Sequence, residues 1–297
     1  MNNQLDFLVI GTQKGATTWL YECLKEHPQI CLPADKKEIE YIGGKIFQEK
    51  GTDWYFSLVE HAKQNQLKGD VSVEYMWDPS SPSLVKELLP DVKLIASLRN
   101  PADRAISAYY WYLRKNLLPS DKNILETFQY LKTCYLEGRR DVQGVDIIER
   151  GMYHTQLARY TALFQPQQIL VLLYEEIKEQ PGKVLEQIYN FLNIDKNFVP
   201  VAINERPKQN SYSKWLVAFE RIAPKSKIIA AVSNKLNQLT SSPKTKQELS
   251  PEKKAAYSLL AELFENSVIE TNKIIKALPE KNQPIKSDVL NIWNKHL

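Results

Sequence analysis

The chain has 297 residues, 43% of them apolar, and carries 39 Lys and Arg against 35 Asp and Glu for a formal net charge of +4. That is an ordinary globular composition, large enough for one sizeable α/β domain or two small ones. No apolar run reaches membrane-span length, and the first strand starts too close to Met1 to leave room for a signal peptide, so a cytoplasmic protein is expected.

Cys23, Cys31 and Cys134 are odd in number, widely spaced and without CxxC pairing, which supports neither a disulfide framework nor a zinc site. The four histidines do not cluster, and His27 before Pro28 suits a helix C-terminus without further chemistry. Charge is unevenly placed: from Lys208 to Lys254 ten basic residues face three acidic ones, a local balance of +7. Such a run is either a solvated helix face or a surface that meets an anionic substrate or membrane.

Taken in order, Leu5 to Ile10 is an apolar run of strand length, and Leu20, Cys23, Leu24 and His27 fall at helical spacing. Between them lies Gly11-Thr12-Gln13-Lys14-Gly15-Ala16-Thr17-Thr18-Trp19, a strand-to-helix turn. Two glycines let backbone approach a ligand, helix-start amides point outward, and Lys14 with the Thr17 and Thr18 hydroxyls completes a cradle for phosphate or sulfate. It differs from the Walker form GxxxxGK[ST], because the lysine precedes Gly15 and the glycine spacing is one residue shorter. A plain turn with a surface lysine is the alternative. Pro28 and Pro33 then bracket a short apolar piece, followed by Lys36-Lys37-Glu38-Ile39-Glu40-Tyr41, readable by itself as a solvated charged turn.

Residues 52 to 66 read as helix, 67 to 73 as a strand followed by a Pro/Ser turn, 83 to 89 as a short helix, and 92 to 98 as a buried strand ending on Arg99. Asn100 and Pro101 occupy N-cap and N1 positions, and Ile106, Tyr109, Tyr110 and Leu113 give the next helix its apolar stripe. Arg99 with Ser107 can converge on a phosphate beyond the carboxyl edge of a sheet, although a strand-end salt bridge would equally explain the arginine. Helices over 122–138, 151–164 and 181–193 surround a further buried strand over 168–174. This alternation implies a mostly parallel sheet with crossover helices. Two amphipathic helices between Trp215 and Leu239 and a long helix opened by Ser250 and Pro251 follow, and the tail from Val289 to Trp293 is apolar enough to dock on the body.

With these motifs in order the chain resembles sulfotransferases that use 3′-phosphoadenosine 5′-phosphosulfate (PAPS), in particular heparan-sulfate-type and related bacterial enzymes. The resemblance runs through the Lys14 loop, Lys37 to Tyr41, Arg99-Asn100-Pro101 to Ser107, Gly151-Met152-Tyr153, the helix at Ser250 and Trp293. It implies one α/β domain over 1–297 with a P-loop-like, mostly parallel sheet flanked by helices: a PAPS-binding core over 1–193 and a C-terminal helical cap over 194–297. It also implies that Lys14, Gly15, Ala16, Thr17, Thr18 and Trp19 hold the 5′-phosphosulfate, that Arg99 and Ser107 hold the 3′-phosphate, and that Glu38 is the general base with Lys14 as catalytic cation. Lys37, Glu40 and Tyr153 fall on the acceptor side.

The chain departs from the family at Val71, where heparan-type enzymes carry a lysine. It also lacks an evident glycine-bearing basic loop, for which Arg206 and Lys208 are the nearest substitutes. The chemistry suits these residue types: in-line sulfuryl transfer to a hydroxyl or amine needs a base on the acceptor and positive charge at the leaving phosphate. The product would be 3′,5′-adenosine bisphosphate (PAP), no metal is expected, and the acceptor is a small molecule, lipid or carbohydrate rather than a nucleic acid. A P-loop kinase, or a nucleotide-binding module without catalysis, remains the competing interpretation.

Overall fold

The computed structural model describes residues 5–33, 41–119, 121–205, 250–286 and 288–293. Lys37, Glu38, Glu40, Arg206, Lys208 and the two helices expected between Trp215 and Leu239 lie outside the described residues.

The architecture is a five-stranded parallel sheet in the order β2-β3-β1-β4-β5, formed by Phe7–Gly11 (β1), Ile30–Cys31 (β2), Leu67–Val71 (β3), Lys93–Leu98 (β4) and Ile169–Leu173 (β5). This is the parallel α/β sheet that the alternation implies. Strands β1 and β5 are buried at every position, as a parallel sheet covered on both faces requires. The chain starts in the middle of the sheet, builds β2 and β3 on one side and then crosses to β4 and β5 on the other. The order therefore reverses between β1 and β4, where open α/β sheets place their ligands.

The helices follow from local signals. Helix α1 (Thr17–Glu26) buries Trp19, Leu20, Tyr21, Cys23 and Leu24 against the sheet. Asn100 caps α5 (Pro101–Arg114) by accepting the Ala102 and Asp103 amides at 3.0 and 3.1 Å, the cap its sequence announces. In α6 (Ile124–Leu136) Asn123 and Glu126 close a capping box. Helix α8 (Tyr153–Thr161) precedes β5. Helix α10 (Pro181–Leu192) starts on its proline and turns Val184, Leu185, Ile188, Tyr189 and Leu192 into the core.

Several boundaries differ from the sequence reading. The helix expected over 52–66 is α2 (Lys45–Ser57), which continues across a break at Gly51 with φ of 80°. That glycine adopts a left-handed conformation and joins two helical turns rather than starting one. Helix α3 (Glu74–Trp77) occupies the approach to the Pro/Ser turn, ahead of α4 (Ser81–Leu88). The piece between Pro28 and Pro33 is edge strand β2, which pairs with β3. Tyr174 ends no strand but opens α9 (Tyr174–Glu179).

Two compact units divide the chain, Met1–Arg104 with Arg150–Pro207 and Phe264–Leu297, and Ala105–Glu149 with Lys208–Leu263. The first holds the sheet. In the second, Tyr109 packs on Phe128 with ring centroids 5.7 Å apart and the short helix α7 (Asp146–Glu149) buries Ile147 and Ile148. Helix α11 (Pro251–Lys276) is the long helix expected after Ser250, and α12 (Val289–Trp293) buries Val289 and Trp293, the docked tail expected from its composition. Among the described residues no helix is long and apolar enough to cross a membrane.

The sheet has one position with no tolerance for a side chain. A Cβ on Gly69 of β3 would overlap the Phe7 ring of β1. Gly69→Ala should therefore lower the thermal unfolding midpoint, with an overpacking cost of about 1–3 kcal/mol; an unchanged midpoint would mean the ring moves freely.

Candidate functional site

Two features meet the carboxyl edge of the sheet on either side of the β1/β4 boundary. The first is the loop after β1. The Thr12 amide donates to the Ser97 carbonyl at 2.9 Å, the Gly15 amide donates to the Thr12 carbonyl at 3.0 Å, and the Ser97 hydroxyl donates to the Gly15 carbonyl at 2.5 Å. A Cβ on Gly15 would overlap the Ser97 carbonyl oxygen, so only glycine permits this seat. Lys14 and Ala16 both take left-handed backbone, with φ of 71° and 70°, and turn the chain sharply into α1.

Ala16 is the N-cap of α1 and provides no side-chain cap, so the opening amides of this ten-residue helix meet no capping oxygen from that position. Thr17 is buried, Thr18 is exposed, Lys14 is half-buried, and Trp19 sits in the core beneath the loop. The structure thus brings the loop residues together as a cradle, and Trp19 supports it from inside. A guest here would meet a helix start, glycine backbone and a lysine, a donor set suited to an anion.

The second feature is Arg99 at the end of β4. Its guanidinium carbon lies 4.4 Å from the Tyr174 ring centroid, and its Nε is buried without a hydrogen-bond partner. The alternative of a strand-end salt bridge has no counterpart for Arg99 among the described residues. A buried guanidinium N–H left unpaired is costly, and an incoming anion would satisfy it. Ser107 is half-buried on α5, in the second unit.

Tyr153, assigned by the resemblance to the acceptor side, is fully buried, and its hydroxyl donates to the Arg99 carbonyl at 2.8 Å. Burial pushes that phenol above its ordinary range. In this structure it braces the arginine.

Residues that sequence reasoning does not single out complete the surroundings. Ser97 anchors the loop, and Glu175, the second residue beyond β5, accepts the Asn100 amide at 2.9 Å. Nothing local marks either one; only the adjacency of β4 to β1 and β5 does. Beside β3, Met76 of α3 packs against Gly11, while Arg150 pairs with Glu74 at 2.8 Å and lies 4.4 Å from the Trp77 ring centroid. This charged and aromatic ledge adjoins the start of the anion loop.

Comparison with known proteins agrees with this geometry. The sulfotransferase domain family matches residues 4–214. Among curated relatives, the bifunctional heparan sulfate N-deacetylase/N-sulfotransferase 1 of Mus musculus is 29% identical over 195 residues, which is 63% of this chain and 22% of that protein. Its Xenopus laevis counterpart is 31% identical over 195 residues with the same coverage, 63% and 22%. The matched region thus spans only about a fifth of these relatives' length. A crystal structure of a sulfotransferase from Alicyclobacillus acidocaldarius shares the fold at a TM-score of 0.64 and 22% identity, over 92% of this chain and 96% of that one. With the five-stranded sheet, the Gly15 loop and Arg99 all inside the matched residues, the chain belongs to the sulfotransferase domain family.

Proposed function

We propose that this chain moves the sulfuryl group of PAPS in line to a hydroxyl or amine of a carbohydrate, lipid or small-molecule acceptor, in the cytoplasm. The observation that carries the reading is the pair of anion-receiving features flanking the β1/β4 boundary, the glycine-seated loop and the Arg99 guanidinium with its unpartnered Nε. Both ends of a bis-anionic nucleotide find donors of the right kind. Bound PAPS would supply an activated sulfuryl group on a phosphate leaving group.

In this reading Lys14, Gly15, Ala16, Thr17 and Thr18 grip the 5′ end, with Trp19 fixing the helix beneath them. Lys14 offsets the negative charge that grows on the leaving phosphate. Arg99 takes the 3′-phosphate, and Ser107 joins it on the strength of the resemblance. Arg206 and Lys208 are assigned to the nucleotide by the same route. Glu38 accepts the acceptor's proton, with Lys36 and Lys37 beside it in sequence favouring its ionised form. Lys37 and Glu40 lie on the acceptor side. Tyr153 we assign to bracing Arg99, where its hydroxyl already acts.

The relatives named for heparan sulfate make a carbohydrate amine or hydroxyl the first acceptor class to try. The three free cysteines suit a reducing compartment. A transferred sulfuryl group carries less charge than a phosphoryl group and needs a bridging metal less. Strand β4 accordingly ends on apolar Leu98 rather than on a carboxylate that could hold magnesium.

Four outcomes test this. PAP at a hundred times its dissociation constant should stabilise the fold by about 2.7 kcal/mol, seen as a raised unfolding midpoint, and ATP at the same concentration by much less. Arg99→Ala should narrow the gap between PAP and AMP; equal stabilisation of the unaltered chain by PAP and ATP would sink the reading. Turnover should survive excess EDTA, whereas an absolute need for magnesium would point to a kinase. Glu38→Gln should lower turnover by about 10²- to 10⁴-fold with PAP binding intact. A dead Glu40→Gln beside an active Glu38→Gln would move the base by two residues.

A further inference from the structure

The turn that presents Arg99 is held by residues far away in sequence. Every polar group of Asn100 is engaged. Its amide donates to Glu175 Oε1 at 2.9 Å, its Nδ2 donates to the Trp293 carbonyl at 3.0 Å, its Oδ1 caps α5, and its carbonyl accepts the Arg104 amide at 2.8 Å. On the other side, the Arg99 carbonyl is taken by Tyr153, whose ring packs on Trp293 with centroids 5.9 Å apart. The indole Nε1 closes the ring of contacts by donating to Glu175 Oε2 at 3.3 Å.

The Arg99-Asn100 peptide is therefore clamped from both faces, and the Arg99 side chain is what the clamp leaves available. Glu175 is the centre of this arrangement. Its carboxylate oxygens accept from Asn100 and Trp293, and the Arg99 charge acts on it without a salt bridge among the described residues. Burial pushes the Glu175 carboxyl above its ordinary range, while the Asn100 amide, the indole N–H and the Arg99 charge pull it back toward the ionised form. Without the indole donor Glu175 Oε2 would lose the Trp293 bond that fixes it, while the attraction of the Arg99 charge would remain.

We propose that Glu175 and Trp293 are positioning residues for the nucleotide's 3′-phosphate. The C-terminal helix α12 acts as a latch that orients the Arg99 turn and keeps Glu175 from capturing the guanidinium. The inference rests on the reading of Arg99 under Proposed function and adds a role for two residues that touch no ligand in it.

The test compares dissociation constants for PAP and AMP, measured calorimetrically on the full chain and on Trp293→Phe and Glu175→Gln. Trp293→Phe keeps an aromatic ring and removes only the indole donor; Glu175→Gln keeps the size and replaces a carboxylate oxygen with a donor facing a donor. Each should weaken PAP about tenfold or more, the scale of a hydrogen bond to a charged group, and leave AMP within about twofold. A purely structural role would weaken both nucleotides alike or lower the unfolding midpoint alone, and either result overturns the proposal. So does an unchanged PAP-to-AMP ratio in both variants. If Arg99→Ala loses the preference for PAP while these variants keep it, only the latch fails. If the unaltered chain does not prefer PAP over AMP, the nucleotide reading fails with it.

Discussion

The seat of one loop on its neighbouring strand is the constraint from which the site follows. Strand β1 delivers the chain to the carboxyl edge, but the loop after it is shaped by β4. Ser97 accepts the Thr12 amide and donates its hydroxyl to Gly15, and the absence of a Cβ on Gly15 lets the two backbones touch. Once that contact is made, left-handed turns at Lys14 and Ala16 send the chain into α1, whose inner face is locked by Trp19, Leu20, Cys23 and Leu24. The helix start is thereby fixed by packing, and a preorganised loop avoids the entropic cost of being ordered on binding.

The same strand end carries Arg99, and there the structure resolves an electrostatic conflict. A half-buried guanidinium needs compensation, yet a direct carboxylate partner would close the site. The face of Tyr174 supplies part of the compensation through its ring charge distribution. Glu175 supplies more from a distance, because its oxygens are committed to Asn100 and the Trp293 indole. The arrangement lowers the cost of burying the cation, although Nε itself has no hydrogen-bond partner among the described residues. Both devices sit on β4 and the elements beside it, so the order β1-β4-β5 is what brings the two motifs to one edge of the sheet.

Much of this is legible in short-range residue patterns. The apolar runs of β1, β4 and β5, the Asn100-Pro101 helix start, the glycine loop and the docking tail all announce themselves in this way, because strand burial, capping and left-handed turns depend on a few neighbouring residues. The ordered motifs together point to the sulfotransferase family. Helix α2 lies earlier than the 52–66 expected because two helical stretches join across Gly51 at a positive φ, which apolar periodicity does not report.

What the sequence by itself determined, then, is the parallel α/β class and the family. The tertiary structure decided which strands are neighbours, and with that the contacts made by Ser97, Tyr153, Glu175 and Trp293. Trp293 meets Glu175 across 118 positions and Asn100 across 193. No periodicity or spacing rule reaches that far, since such contacts are set by how crossover helices return strands to the sheet and not by the residues beside them in the chain.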